Sequence, residues 1–438
     1  MNVLRCRKGR THASALIAVL LGVLLGVAPI PDRLPTTANA APGDIGYAGP
    51  SYAGDGQDAT GEKPESKLWW NDGLWWAALF DTASGTHHIF RLNRSTHRWV
   101  DTGTMIDNRP GTRSDALWDG TRLYVASHVG ATSSADATWG NPARLYRFSY
   151  NPATKTYAPD AGFPARINNV SSETLTIDKD SRGVLWATWA QDSEIYVNST
   201  TAGDARWGSP FVIPVAGAST VSSDDISAVV ATRGGRIGVM WSNQPESTVY
   251  FVNHTDGAPR TEWIVSNTPV GDPGLADDHI SLRSLDADPT GRVFAVVKTS
   301  LDDVDPSLST APQILLLASN PATGTWSTAT VGELDDCHTR PILMLDAEHQ
   351  MLHVFLTAPD SGCPFSGSAG TIFHKSSPMK PMSFPAGRGT PVIRDTLSPT
   401  LNNVTSTKQS VSGATGLVIL ASNNDTGRYW HADLALKP

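Results

Sequence analysis

The constraint that decides most about this chain is a unit that recurs along nearly its whole length. Each copy opens with a polar or charged cluster and continues as a short apolar strand, a Gly- and Asp-rich turn and a second, more apolar strand. The clusters fall near Ser66, Ser114, Ser172, Asp224, Asp277, Thr339 and Thr407, about 50 to 70 residues apart. That length holds four short strands with tight turns. The second strands, such as "LWWAALF", "VLWATW", "IGVMW", "VFAVV", "LHVFL" and "LVILA", are apolar at almost every position. A two-sheet sandwich exposes one face of each sheet and gives alternation. Continuous apolar runs require burial on both faces. Radially stacked sheets meet that requirement, so the predicted fold is all-β: a seven-bladed β-propeller of four-stranded antiparallel blades.

Third and fourth strands follow in most units, for example "THHIFRLN" and "HRWVDTGTMI" in the first. In the sixth they are read as "GTIFHKSS" and "MSFPAG". The seventh unit runs out after its third strand, "RYWHADLAL". An open blade edge invites aggregation. The N-terminal stretch "IGYAGPSYAG" is therefore expected to supply the missing strand and close the ring.

Residues 1–40 read as a signal peptide. Arg5, Arg7, Lys8 and Arg10 form a basic start, an apolar run follows from Ser14 to Ile30, and Ala38-Asn39-Ala40 is a cleavage signal. The remainder, 41–438, is read as one propeller domain that is secreted and extracellular. It carries 29 basic and 41 acidic side chains, a net charge of −12. Nucleic acid is a poor partner for such a chain, because phosphate binding needs a basic face. No second apolar segment spans a membrane. Cys337 and Cys363 remain after cleavage, and an oxidising compartment makes one disulfide between them the expectation.

In a propeller the innermost strands line a central channel, so the opening clusters converge on one rim. In chain order they bring Lys67; Arg113 and Asp115; Glu173; Asp224 and Asp225; Asp277, Asp278 and His279; His338 and Arg340; and Lys408. The ends of the second strands add Asp81, His128, Gln191, Asn243, Lys298 and Asn423, with Trp189 and Trp241 just inside. Desolvated charges are costly unless paired, so such a ring points to chemistry. The competing readings are that the charges pair with one another and plug the channel, or that Asp224 and Asp277 merely cap turns. Asp278, Asp225 or Glu173 supply the carboxylates a glycosidase needs, and His279 is a candidate general base. Lys67, Arg113, Asp115, Arg340, Lys408, Lys298 and His338 are the candidate substrate-binding groups, the cations suiting an anionic ligand. Trp189 and Trp241 suit stacking on sugars, although blade packing explains them as well. There is no G-x-S-x-G, H-E-x-x-H or P-loop, and no spacing that specifies a metal site. No cofactor is required; a calcium ion in the channel is left open.

In "KPESKLWWNDGLWWAALFD", "ADDHISLRSLDADPTGRVFAVVKTS" and "TSTKQSVSGATGLVILAS" the chain resembles secreted bacterial seven-bladed propellers of sialidase-like (BNR-type) architecture, a resemblance that covers residues 60–436. The resemblance lies in repeat and context. Asp-boxes of the S-x-D-x-G-x-x-W kind are missing, and Arg113, Arg283 and Arg340 do not define an arginine triad, so no catalytic residue is transferred. It implies an exported carbohydrate-active enzyme, a glycoside hydrolase or a polysaccharide lyase, acting on an acidic glycan at the central funnel. The alternative is a non-catalytic module binding glycan or protein.

Overall fold

A computed structural model of the chain describes residues 41–436 except 57, 271–274, 286, 287, 289, 305, 306, 364 and 366–368. The expected signal peptide at 1–40 lies outside the described residues. Seven antiparallel sheets form a propeller. The first blade shows the pattern: Leu68–Asn71 innermost, then Leu74–Asp81, Thr86–Asn93 and Arg98–Met105. The other innermost strands are Thr112–Trp118, Thr176–Lys179, Ser227–Thr232, Ile280–Ser284, Thr339–Asp346 and Leu401–Thr405. In the second and third blades the outer strand is split into two short pieces. Among the described residues the only α-helix is the four-residue Leu301–Val304, and none is long and apolar enough to cross a membrane.

The apolar second strands are buried for the expected reason. In Leu74–Asp81, Trp75, Ala77 and Leu79 join a cluster shared with the seventh blade. Trp76 and Ala78, pointing the other way, join one shared with the second blade. The cluster shared with the seventh blade continues to the sixth, and each of the other four junctions has its own cluster between neighbouring sheets. Blade-to-blade packing is thus the core itself, and truncating Trp75 or Trp76 to Ala would cost about 3–5 kcal/mol. In "IGVMW" the glycine is required by this packing: a Cβ on Gly238 would stand 2.5 Å from the Phe251 ring.

Ring closure follows the sequence expectation. Tyr47–Ser51 pairs antiparallel with Arg428–Leu434, completing the seventh blade. Two strand assignments need correction. The sixth blade's outer strand is Thr390–Ile393, not "MSFPAG". The seventh blade's inner strand begins at Leu401, ahead of the Thr407 cluster, and the pairing slips between Asn402 and Thr405. This places Lys408 beyond the far end of its strand, not at its start.

Each innermost strand has an unpaired edge facing the hub. Side chains of one blade satisfy the amides of the next: Asp115 Oδ2 accepts from Ile177 N, Thr176 Oγ1 from Val229 N, and Asp178 Oδ2 from Ala231 N. Ser281 Oγ accepts from Leu343 N and Gln409 Oε1 from Trp70 N, which carries the pattern across the closure. Buried amides need such partners. Part of the hub's polarity is therefore structural.

Candidate functional site

The site lies at the mouth where the innermost strands begin. Residues 58–65 run into the first blade as a strap across this mouth, and Lys63 holds a left-handed φ of 44° there. Its ammonium donates to Glu173 Oε1 at 2.8 Å and, more closely, to Asp278 Oδ2. Asp278 Oδ1 also lies 2.6 Å from His279 Nδ1, which contacts Asp277 too. His279 Nε2 faces Thr339 Oγ1 at 3.3 Å. Lys298 Nζ reaches Asp277 at 2.6 Å and Asp302 at 3.2 Å. Arg113 donates to the carbonyls of Ala131 and Glu173 and to Asp58 Oδ2 at 3.0 Å.

Glu173, Asp224 and Asp278 each offer an oxygen within 4.8 Å of the others. Glu173 and Asp278 are buried, whereas Asp224 is exposed, so the cluster opens to solvent on the Asp224 side. Burial pushes the Glu173 carboxyl up to about 7, with Asp278 adding to it and Lys63 opposing. Burial acts on Asp278 as well, but the charges of His279 and Lys63 outweigh it and hold Asp278 well below the usual carboxylate range. Partial desolvation and the neighbouring Asp278 lift Asp224. Burial disfavours the His279 imidazolium, yet Asp278 and Asp277 prevail and raise its pKa. One oxygen of Glu173, Oε2, is buried without a hydrogen-bond partner among the described residues.

The three acids have ligand-like spacing for a cation, as do Asp277, Asp278 and His279. The Lys63 ammonium already fills that role in the first group, and in the second the histidine is committed to both carboxylates. The residues do not fit a calcium ion at this mouth.

The structure therefore gathers six sequence candidates in direct contact or one step apart: Glu173, Asp224, Asp277, Asp278, His279 and Lys298. Arg113 borders them. Arg340 stands nearby, its charge felt by Glu62 and its Nε without a partner among the described residues. The rest lie elsewhere. Lys67 is deeper in the channel and donates to Ser114 Oγ. Asp115 and Lys408 are deeper still, paired at 2.5 Å. Asp225 turns its carboxylate to the amides of Ser222 and Gln244, tying a loop. His338 faces Arg388 O and the Phe373 ring outside the channel, and burial lowers its pKa to about 4. Gln191, Asn243 and Asn423 are spent on local turns. Trp189 and Trp241 are fully buried and stack on Tyr196 and Tyr250. Blade packing, not a sugar platform, is their role.

Sequence reasoning missed Lys63, Glu62 and Glu65. Glu65 pairs with His128 at 2.5 Å, and His128 with Ser172 Oγ at 3.2 Å, in a fully buried layer beneath the mouth. The signal was the charge-dense run "DGQDATGEKPESK". It has no periodicity to place it on a strand, so its path over the hub was not readable.

Neither a protein-family model nor a curated protein matches this chain. Solved structures of similar shape include a putative 6-phosphogluconolactonase from Bacteroides uniformis, at 11% identity over 85% of this chain and 99% of that one, TM-score 0.46. A six-bladed fucose-recognising lectin of Aleuria aurantia aligns at 10% identity over 78% of this chain and 99% of its own, TM-score 0.43. A family 43 β-xylosidase/α-arabinofuranosidase from a compost metagenome aligns at 11% identity over 65% and 98%, TM-score 0.35. Likeness at this level says nothing about the chemistry of the mouth.

Proposed function

We propose that the mouth is the active site of an exported glycoside hydrolase, with Glu173 as proton donor and Asp278 as the ionised carboxylate. One observation carries this reading: two carboxyls that share the Lys63 ammonium are shifted in opposite directions, Glu173 up to about 7 and Asp278 well below the usual carboxylate range. Acid and base roles are divided in this way when one carboxyl must give a proton near neutrality while its neighbour stays charged. Their close approach suits a double-displacement mechanism, in which the ionised carboxylate attacks the sugar, more than one that needs room for a water between them. Glu173 protonates the leaving oxygen, and the imidazolium of His279 holds Asp278 in its charged form. Elimination fits less well, because a protonated His279 cannot serve as base.

Carboxylates outnumber cations around this mouth, and Lys63, Lys298 and Arg113 are already paired with them. The reading therefore assigns a neutral glycan to this site, not an acidic one. Export rests on the leader-like residues 1–40 and on the disulfide between Cys337 and Cys363.

Reducing-sugar release from a panel of neutral polysaccharides tests the reading. Glu173→Gln and Asp278→Asn should each lower kcat by about 10²–10⁴, and the rate should fall as pH rises through about 7, where Glu173 loses its proton. Turnover that survives both substitutions refutes it. A second reading is favoured by the pairing itself: Lys63, Lys298 and His279 are all matched with acids, as in a plug that only seals the hub. Retention of a glycan without turnover, or no interaction at all, would select a binding module or that plug.

A further inference from the structure

The opposite mouth, where the innermost strands end, holds a cavity of about 830 Å³. The turns after the inner strands of the second, third and fourth blades wall it, and Arg283 and Lys408 reach it from the fifth and seventh. Its volume falls in the range of small-molecule sites. Arg283 is only 5% exposed. Its terminal nitrogens donate to Leu282 O at 2.8 Å and to Ser66 Oγ at 3.2 Å, while Nε has no acceptor among the described residues. The nearby carboxylates do not supply one. Asp115 accepts from Ser66 N, Ile177 N and Lys408, and Asp178 from Lys179 N and Ala231 N. Burial consequently depresses the Arg283 guanidinium to about 10, against the pull of Asp115 and Asp178. Lys408 has three N–H donors, two of which go to Asp115 and the Ile177 carbonyl.

A guanidinium whose terminal nitrogens each keep a second N–H, lining the same roomy polar cavity as an ammonium, is a site awaiting an oxyanion. We infer that this mouth binds a small carboxylate-bearing ligand of sugar-acid size, held at its carboxylate by Arg283 and Lys408. A carboxylate suits a guanidinium and an ammonium that line one cavity, and it carries one charge. A phosphate dianion would bring more charge up against Asp178 in the wall and Asp115 behind Lys408. The remaining volume accommodates a hydroxylated ring, with the partly exposed Trp118 on the cavity wall. This site is separate from the Glu173–Asp278 mouth and does not depend on the reading given to it.

Calorimetric titration of the intact chain with glucuronate, galacturonate, glucose and inorganic phosphate tests the inference. A uronate should bind with a Kd of about 1 mM or tighter, about tenfold better than glucose or phosphate. Lys408→Gln and Arg283→Gln should each weaken it about tenfold, the equivalent of one charge-assisted hydrogen bond. Glu173→Gln, at the other mouth, should leave it unchanged. If Arg283→Gln does not fold, Lys408→Gln decides. Absence of uronate binding, equal binding of glucose, preference for phosphate, or full affinity in Lys408→Gln overturns the inference. So does loss of uronate affinity in Glu173→Gln alone, which would place the ligand at the first mouth.

Discussion

Replacing Glu173 by Gln should make the protein's stability less dependent on pH. In the folded state this carboxyl is raised from an ordinary 4.5 to about 7. The folded state thus binds the proton more tightly than the unfolded chain does. The resulting stabilisation is complete below about pH 4.5 and is lost as pH rises through about 7. Across that interval the wild type gives up about 3 kcal/mol from this group. Glu173 is only 7% exposed, so solvent screening trims the figure little. Gln keeps a carbonyl oxygen that can accept from Lys63 but has no proton to lose. Urea unfolding at steps from pH 4.5 to 9 should show the two proteins diverging with pH. The variant should gain about 3 kcal/mol on the wild type by pH 8. Taking the difference between them cancels the titration of groups they share, including His279. A constant difference across the range would mean that Glu173 titrates normally, and the acid–base division at this mouth would be refuted.

Two further perturbations separate the strap from the ring. Lys63→Met leaves Glu173 and Asp278 without their shared cation, a loss of about 3–5 kcal/mol for a buried pair broken on one side; unfolding free energies within 1 kcal/mol of wild type, about the value of an exposed ion pair, would show that the ammonium is solvated in solution. Deleting residues 41–51 removes the strand paired with Arg428–Leu434 and exposes that edge. The melting temperature should fall and multimers should form on size-exclusion chromatography, whereas an unchanged melt would refute closure by the N-terminal strand.

The blade count and the ring closure were legible because both follow from local pattern. "LWWAALF" declares two buried faces, and the partnerless third strand "RYWHADLAL" requires a fourth from elsewhere. The site was only partly legible. Glu173, Asp278 and His279 stand within three residues of the start of their strands, where position along the strand sets depth in the channel. The same rule misplaced Lys408, because the inner strand of the seventh blade begins at Leu401 and the lysine follows its end. It also misjudged Asp225 and His338, which share the neighbourhood of true ring members but point at backbone amides or at Phe373. Spacing says which residues reach the hub end of a blade, not which way a side chain turns there.

The sequence by itself determined the repeat, the burial of the second strands, the strand borrowed from the N-terminus and the cysteine pair. The first three are set by the free energy of hiding apolar or hydrogen-bonding surface, which is written residue by residue, and the last by the two cysteines that follow residue 40. Only the tertiary structure decided that Lys63 lies between Glu173 and Asp278, that Asp115 pairs with Lys408, and that Arg283 is left with an unmet donor beside a cavity. These contacts join residues 110 to 293 positions apart. Their energies depend on separations of a few ångströms and on local burial, which exist only once the ring has closed.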